Sequence, residues 1–266
     1  MPPTNTGVCT SISHVDKDWR QESYMNTFKS SAELKASARE RMFGHYGTAV
    51  GAVLITLCIV GFLDFITFLF VDTTTVVGTV FYYVISFLLS LLSGLFTSGT
   101  TYLYLEIICG RPASVGDIFR GFSICPNKTI LIQGFISLIS YIANIPMIII
   151  SYKVIFASQS ELMRLMLPYS LSIILSGVVS MILSLLYAQA FYLLHDFPQY
   201  SVRELLAKSR KLMVGHKGRL FYIYVSFLPL LLVAMLSCGI GLLWLIPYMN
   251  ATQTEFFLDL IQNKNN

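Results

Sequence analysis

Long apolar stretches, separated by short polar connections, make up most of the sequence after residue 47. A helix needs about 20 predominantly apolar residues to cross the hydrocarbon core of a membrane. Six stretches meet this requirement, over residues 48–70, 79–105, 129–150, 169–194, 220–237 and 240–260. The last one also contains Glu255 and Asp259, so its final turns are expected to leave the membrane. The pattern predicts an all-α, polytopic membrane bundle of six transmembrane helices.

The composition excludes several other classes of protein. Hydrophobic residues make up 55% of the chain and charged residues only 12%, whereas a soluble domain carries about 25% charged residues. A soluble enzyme, a secreted disulfide scaffold and a disordered chain are therefore excluded. The five cysteines form no Cys-x-x-Cys pair and lack metal-ligand spacing, so no metal or other cofactor is expected. The basic residues flank apolar stretches, which is typical of membrane orientation and argues against a nucleic-acid surface.

Lysine and arginine are distributed unevenly over the connections between the stretches. Of the 18 lysines and arginines, only Lys153 and Arg164 lie in the connections after the first, third or fifth stretch. Cytoplasmic connections carry the excess of positive charge in membrane proteins. The sequence therefore predicts a multi-pass protein of the cell membrane with both termini in the cytoplasm. Residues 1–29 are predicted to be a disordered cytoplasmic segment, followed by a six-span membrane domain over residues 30–266.

Two segments that precede apolar stretches repeat one another. Residues 30–47 (SSAELKASARERMFGHYG) and 201–218 (SVRELLAKSRKLMVGHKG) are identical at nine of eighteen positions without a gap. Each opens with a serine and, three residues later, a glutamate, a capping box that satisfies free amide groups at a helix start. Each closes at a glycine, as helix ends often do. Residues 114–122 (SVGDIFRGF) occupy the same place before the third stretch, so we expect three units, each a short helix followed by a two-span hairpin.

The second copy of the repeat is predicted to form an amphipathic helix. Its apolar face holds Val202, Leu205, Leu206, Ser209, Leu212 and Met213, whereas Arg203, Lys208 and Lys211 lie off that face. Such a helix typically lies on the inner membrane surface, with its basic residues near anionic lipid headgroups. A plain helical connector between two spans is the alternative.

Three motifs of the chain resemble those of a known family. They are E-L-x-x-x-A-R-x-x-M-x-G at 33–44, S-R-x-L-M-x-G at 209–215 and G-L-L-W-L-x-P-Y at 241–248, the last followed by Ala251 and Phe257. The combination resembles a bacterial family of six-span membrane proteins, frequent in Gram-positive species, that is catalogued as a domain of unknown function. It is also distantly similar to the membrane domain attached to some glycerophosphodiester phosphodiesterases. The resemblance covers nearly the whole chain from about residue 30 and implies the fold and the membrane location, but no catalytic residues.

Small residues recur at every fourth position in two of the predicted spans. They are Ser86, Ser90, Gly94 and Ser98 in the second span, and Ser172, Ser176, Ser180 and Ser184 in the fourth. Small residues at this spacing let helices approach closely in lipid. We interpret them as packing positions, and a hydroxyl-lined path for a polar solute is the alternative.

Polar residues inside the predicted spans are the candidate ligand-binding residues. One helical face of the third span holds Gln133, Ser137, Ser140 and Asn144. Such a face points into the bundle, where it forms interhelical hydrogen bonds or lines a cavity. Asp64 is the only acidic residue clearly inside a span. Inside the bundle, Asp64 would bind a cationic group or a proton. If the first span ends earlier, Asp64 would instead reach the lipid headgroups.

The sequence contains no constellation that is typical of an enzyme. His45 and His216 recur in the repeat, which suggests a metal ligand, but we interpret them as polar residues in the turn before a span. G-x-S-x-G, H-E-x-x-H and P-loop motifs are absent. We therefore expect a non-enzymatic membrane protein that binds or moves an amphiphilic ligand, either a lipid or a hydrophobic peptide. Membrane lipid and a protein in the membrane are the candidate partners. The alternative is a structural or accessory membrane protein, such as a transporter partner or an envelope-stress factor.

Overall fold

A computed structural model gives the fold for residues 28–73, 75–155 and 157–263, which form helices and no strand. The helices are α1 (Ser31–Met42), α2 (Tyr46–Phe70), α3 (Val76–Ile108), α4 (Arg120–Ser123), α5 (Pro126–Ile155), α6 (Gln159–Tyr187), α7 (Ala190–Asp196), α8 (Val202–Leu212), α9 (Lys217–Val225), α10 (Leu228–Leu236) and α11 (Leu242–Gln262). A short 3₁₀ helix, Val115–Phe119, precedes α4. The all-α fold class is thus confirmed for the described residues. The segment 1–29 lies outside them, except for Phe28 and Lys29.

Five helical stretches of the described chain are long and apolar enough to cross a membrane. They are Tyr46–Phe70, Val76–Ile108, Pro126–Val154, Ser160–Asp196 and Lys217–Leu236. These stretches correspond to the first five predicted spans. In the second of them, no residue of the most apolar 18-residue window is buried. A helical surface that is both this apolar and this exposed is suited to lipid rather than water.

The sixth predicted span corresponds to α11, which is not among the described stretches that qualify by length and composition. It carries Glu255 and Asp259, of which only 2% and 4% are exposed. Both acidic residues have an arginine partner: Arg41 Nε lies 2.9 Å from Glu255 Oε1, and Arg219 Nη2 lies 2.8 Å from Asp259 Oδ2. The two acids therefore reduce the hydropathy of α11 without leaving a buried charge unpaired. Six spans remain a prediction.

The buried core lies at one end of the bundle, which we call the core end. One hydrophobic cluster there joins Leu34 of α1, Leu105 of α3, Leu194 of α7 and Phe256 of α11, all fully buried. We call the opposite end, where α2 leads into α3, α5 into α6 and α10 into α11, the hairpin end. Large apolar side chains such as Phe70 are exposed there. The helices are buried by protein at the core end, whereas the exposed apolar side chains at the hairpin end are suited to contact with lipid.

The short helices α1 and α8 begin with the capping boxes that the sequence predicts. Ser30 N donates to Glu33 Oε2 at 2.7 Å, and Ser201 N donates to Glu204 Oε2 at 2.8 Å. In return each serine hydroxyl accepts a hydrogen bond from the backbone N–H of its glutamate. The hydrogen bonds from the serines lower the pKa of both glutamates. Two orphan amide groups are thereby satisfied at each helix start.

Each short helix is followed by a left-handed glycine. Gly44 and Gly215 have φ angles of +86° and +81°, a conformation that glycine adopts without strain. The next residue in each copy, His45 or His216, is the N-cap residue of the following helix, α2 or α9. This position fits the interpretation of both histidines as polar turn residues. Within the described residues, no group of three metal-ligating side chains comes together.

The apolar faces of α1 and α8 are buried in the protein. Leu205 and Ser209 of α8 are fully buried, and Ser209 Oγ donates to the carbonyl oxygen of Leu186 in α6 at 3.1 Å. The matching residues of α1, Leu34 and Ala38, are fully buried as well. The face of α8 that the sequence assigned to the membrane surface therefore packs on protein. The physical reason is length: the α6–α7 stretch has 37 residues, about 55 Å of helix against a hydrocarbon core of about 30 Å, so its last turns protrude and need covering.

Each short segment packs on the second helical stretch of a hairpin, which is the preceding hairpin for α4 and α8 and the last hairpin for α1. The segment that contains α4 packs on α3 so closely that a Cβ at Gly99 would lie 1.8 Å from the carbonyl oxygen of Ile118. In the same way α8 packs on α7, and α1 packs on α11. The first helix of the described chain therefore closes against its last.

The fifth span is interrupted between α9 and α10. Lys35 of α1 donates from Nζ to the carbonyl oxygen of Ser226 at 3.1 Å and lies 4.0 Å from the centre of the Phe227 ring. The ammonium group thus satisfies one of the carbonyls that the end of α9 leaves without an intrahelical partner. Partial burial lowers the pKa of Lys35. The interruption is consequently stabilised from outside the span, by α1.

Candidate ligand site at the hairpin end

The first two residues of the predicted polar face of α5, Gln133 and Ser137, belong to a hydrogen-bond network that reaches α3. Gln133 Nε2 donates to Ser137 Oγ at 3.2 Å, and Ser90 Oγ of α3 donates to the same Ser137 Oγ at 3.1 Å. Gly94 leaves room for Gln133, because a Cβ at Gly94 would lie 2.5 Å from the side chain of Gln133. These contacts match the hydrogen-bonding interpretation of the polar face, and they also give Ser90 and Gly94 a packing role.

The other two members of the polar face lie between α5 and α6. Asn144 Nδ2 donates to the backbone carbonyl of Ser140 at 2.6 Å, and Asn144 Oδ1 accepts a hydrogen bond from Ser176 Oγ of α6. Ser140 Oγ donates to the carbonyl oxygen of Ile136 at 3.0 Å. Unlike Gln133, Ser140 and Asn144 also line a cavity. The structure therefore combines the two alternatives that the sequence left open.

This cavity, which we call the tyrosine cavity, lies along α5 near the hairpin end and has a volume of about 280 Å³. Its lining residues are Tyr83, Ser140, Tyr141, Asn144, Met147, Ile148 and Ser151. Tyr83 comes from α3, and its ring meets the ring of Tyr141 edge to face, with centroids 6.3 Å apart. A mixture of aromatic, aliphatic and hydroxyl groups is typical of ligand sites, although the volume is close to the lower limit for them.

A second cavity of about 580 Å³ lies where α5 leads into α6. We call it the basic cavity, and it is lined by Tyr152, Lys153, Ala157, Glu161, Arg164 and Leu165. Glu161 Oε2 accepts hydrogen bonds from Ser158 N at 3.0 Å and from Ser158 Oγ at 2.8 Å, which caps the start of α6. Sequence reasoning did not find this cavity. The available signal was that Lys153 and Arg164 break the pattern of positive charge.

The structure does not bring Asp64 to this site, and it buries only some of the serines of α6. Asp64 is exposed on α2 and lines neither cavity. In α6, Ser172 and Ser176 are buried in the packed interior, but Ser184 is exposed and donates to the carbonyl oxygen of Met181 in its own helix. The serines at every fourth position therefore do not form one continuous packing face.

A polar cluster at the core end was not expected from the sequence. His195 Nε2 lies 2.8 Å from the carbonyl oxygen of Ser98 and 3.1 Å from its hydroxyl oxygen, and Thr129 Oγ1 donates to the same hydroxyl at 3.4 Å. Ser98 and Thr129 are fully buried, and only 4% of His195 is exposed. The cluster joins α3, α5 and α7. Ser98, the last of the small residues of the second span, therefore forms hydrogen bonds in addition to allowing close packing.

Comparison with known proteins gives a family but no activity. No curated protein and no solved structure matches the chain. The family model described as "Protein of unknown function (DUF975)" matches residues 25–264, nearly the full length, and confirms the resemblance to a family of unknown function. The similarity to the membrane domain of glycerophosphodiester phosphodiesterases stays a prediction. With five apolar stretches able to cross a membrane and a match over almost its whole length, this helical chain belongs to the DUF975 family.

Proposed function

We propose that the chain is a non-enzymatic integral protein of the cell membrane that binds or moves an amphiphilic ligand, with the tyrosine cavity as its binding site. The observation that carries this proposal is the cavity itself. It is of a size that holds part of a lipid, and it is lined by residues of α3 and α5 at the end of the bundle where apolar side chains are exposed. A ligand could enter it from the lipid phase without crossing the packed core.

The lining of the tyrosine cavity suits an amphiphile better than a polar solute. Met147 and Ile148 offer apolar surface, while the tyrosine rings offer apolar faces together with hydroxyl groups. Asn144 already uses its side-chain oxygen and nitrogen in hydrogen bonds to Ser176 and Ser140. A strongly polar ligand would have to compete with these bonds, whereas an acyl chain would not.

The proposal includes a sixth span and cytoplasmic termini. With 21 residues, α11 is about 31 Å long, which is enough to cross the hydrocarbon core. Glu255 and Asp259 lie near its core end, where Arg41 and Arg219 neutralise them. In this arrangement the three short segments lie on the cytoplasmic side, and their packing on successive hairpins supports an architecture of three repeated units.

A tryptophan substitution tests whether the tyrosine cavity binds lipid. Ser151→Trp would fill the cavity near its hairpin end, and Ile149→Trp adds the same bulk at a position that is 52% exposed and does not line it. After purification in detergent, tightly bound lipid per protein is counted by mass spectrometry. We expect S151W to lose bound lipid and I149W to retain the wild-type amount. Equal lipid retention by both variants would overturn the proposal and favour a structural or accessory role.

A further inference from the structure

We propose that the basic cavity binds the phosphate group of an anionic phospholipid through Lys153 and Arg164. The inference rests on the proposed function, because the acyl chain of the same lipid would occupy the tyrosine cavity. It adds the chemical class of the headgroup and the residues that recognise it.

The positions of the two basic residues are the first argument. Among the described residues, these are the only lysine and arginine at the hairpin end, Lys153 in the last turn of α5 and Arg164 near the start of α6, and both line the same cavity. Positive charge is disfavoured in non-cytoplasmic connections. Two exceptions that meet in one cavity therefore call for a specific anionic partner.

The local charge balance is the second argument. The one acidic residue among the described lining residues is Glu161, whose Oε2 is engaged in the cap of α6. Within the described chain, neither Lys153 nor Arg164 forms an ion pair with a carboxylate. The guanidinium group of Arg164 can offer two parallel N–H donors to phosphate oxygens, and the ammonium group of Lys153 adds a point charge.

The relation between the two cavities is the third argument. The residues of α5 that line the tyrosine cavity run from Ser140 to Ser151, about 17 Å along the helix. The next two residues, Tyr152 and Lys153, line the basic cavity. An amphiphile that lies along α5 with its chain toward Ser140 would therefore bring its headgroup to Lys153.

The surroundings of Arg164 favour a lipid over free phosphate as the source of the anion. Met163, Met166 and Leu167, on either side of Arg164 in α6, are 83%, 67% and 70% exposed. Exposed apolar side chains of this size are expected to contact lipid, so the basic cavity lies where apolar surface and charge meet. A phospholipid headgroup occupies that same boundary.

A binding titration with matched lipids tests the inference. The probes are phosphatidylglycerol, diacylglycerol with the same acyl chains, and inorganic phosphate, each added to detergent-purified protein and measured by native mass spectrometry. We expect wild-type protein to bind phosphatidylglycerol more tightly than diacylglycerol. K153Q/R164Q should weaken phosphatidylglycerol binding about 30-fold, as expected for two basic residues near a charged headgroup, and leave diacylglycerol binding unchanged.

The control is R210Q/K211Q, which removes two exposed charges at the core end and should bind both lipids as the wild type does. Unchanged phosphatidylglycerol binding by K153Q/R164Q would overturn the inference, and so would full displacement of the lipid by inorganic phosphate. The proposed function is judged separately: loss of diacylglycerol binding in S151W supports the tyrosine cavity even if the basic cavity fails its test. If S151W binds diacylglycerol normally, the proposed function fails whatever the headgroup result.

Discussion

Arg219 of α9 and Asp259 of α11 form a salt bridge of 2.8 Å, and Arg219 Nη2 also donates to the carbonyl oxygen of Lys29 at 2.7 Å. The backbone N–H of Lys29 in turn donates to Asp259 Oδ1 at 3.3 Å. These contacts join three parts of the chain that are far apart in sequence: the residue before the N-cap of α1, the start of the fifth span and the end of α11. Only 4% of the Asp259 side chain is exposed, so its charge depends on these partners.

Replacing Asp259 by leucine should therefore be costly. Arg219 would lose its partner in a largely buried place, and the free energy of unfolding should fall by about 3 kcal/mol. The double variant D259L/R219L removes both charges and should recover much of this loss, because apolar side chains often replace a buried ion pair without cost. Thermal unfolding in detergent measures both effects. A double variant that is no more stable than D259L would contradict this account of the pair.

Gly99 should not tolerate alanine. Its Cβ would lie 1.8 Å from the carbonyl oxygen of Ile118, so the segment before α5 would have to move away from α3, at a cost of about 1–3 kcal/mol. Gly61 in α2 is a matched control, since no atom lies within 4 Å of its added Cβ. G61A should be neutral or stabilising by up to about 1 kcal/mol, because alanine favours helix over glycine. Equal thermal stabilities of the two variants would argue against the close approach.

Ser176 should be sensitive to size more than to the loss of its hydroxyl. S176A removes the hydrogen bond to Asn144, and interhelical hydrogen bonds in membranes are worth only about 0.6 kcal/mol on average. S176L should cost about 1–3 kcal/mol because it overpacks the interface between α5 and α6. S184L provides the comparison: Ser184 is exposed, so leucine there should have little effect on thermal stability. The size argument fails if S176L unfolds at the same temperature as S184L.

The capping boxes should make stability depend on acidic pH. Hydrogen bonds from Ser30 and Ser201 lower the pKa of Glu33 and Glu204 from the usual 4.5. Because the folded state holds these protons less tightly than the unfolded state, the stabilisation is complete above the unfolded pKa and is lost as the pH falls through the folded pKa. The unfolding midpoint of the wild type should thus fall more steeply between about pH 5 and pH 3 than that of E33Q/E204Q. Parallel curves would show that the caps contribute no pH dependence.

Cysteine labelling should establish the orientation of the bundle. Cys238 is exposed in the α10–α11 connection at the hairpin end. With the other cysteines replaced by serine, it should react with an impermeant thiol reagent added to intact cells. A cysteine in place of Lys208, in a background where Cys238 is also serine, should react only after the cells are lysed. The opposite result would place the termini outside and would reverse the predicted topology.

The sequence predicted the features that depend on neighbouring residues. The capping boxes, the glycines that close the two short helices and five of the six predicted spans all depend on residues within a few turns of the chain, and the structure has each of them. The face formed by Gln133, Ser137, Ser140 and Asn144 was also predictable, because their spacing puts them on one side of a helix. Which helix each of them meets was not, since Ser90 and Ser176 are equally plausible partners from spacing alone.

The features that sequence reasoning missed depend on distance in space or on geometry over several turns. Arg41 and Glu255 are more than 200 positions apart, so nothing local shows that the acidic residues of α11 are paired. The serines of α6 were predicted to share a face, but a step of four residues turns about 40° beyond a full helical turn. From Ser172 to Ser184 this adds up to about 120°, which brings Ser184 to the exposed side. Neither cavity is encoded by a motif, because each is a gap between helices.

The packing of α1 on α11 has a consequence for biosynthesis. A ribosome makes α1 before α11, so the buried face of α1, with Leu34, Ala38 and Met42, lacks its contacts with α11 until α11 has been translated. During the intervening translation that face is open to chaperones and proteases. A nascent chain that stops before residue 242 would display it permanently. The contact between α1 and α11 can therefore form only after translation has passed α11.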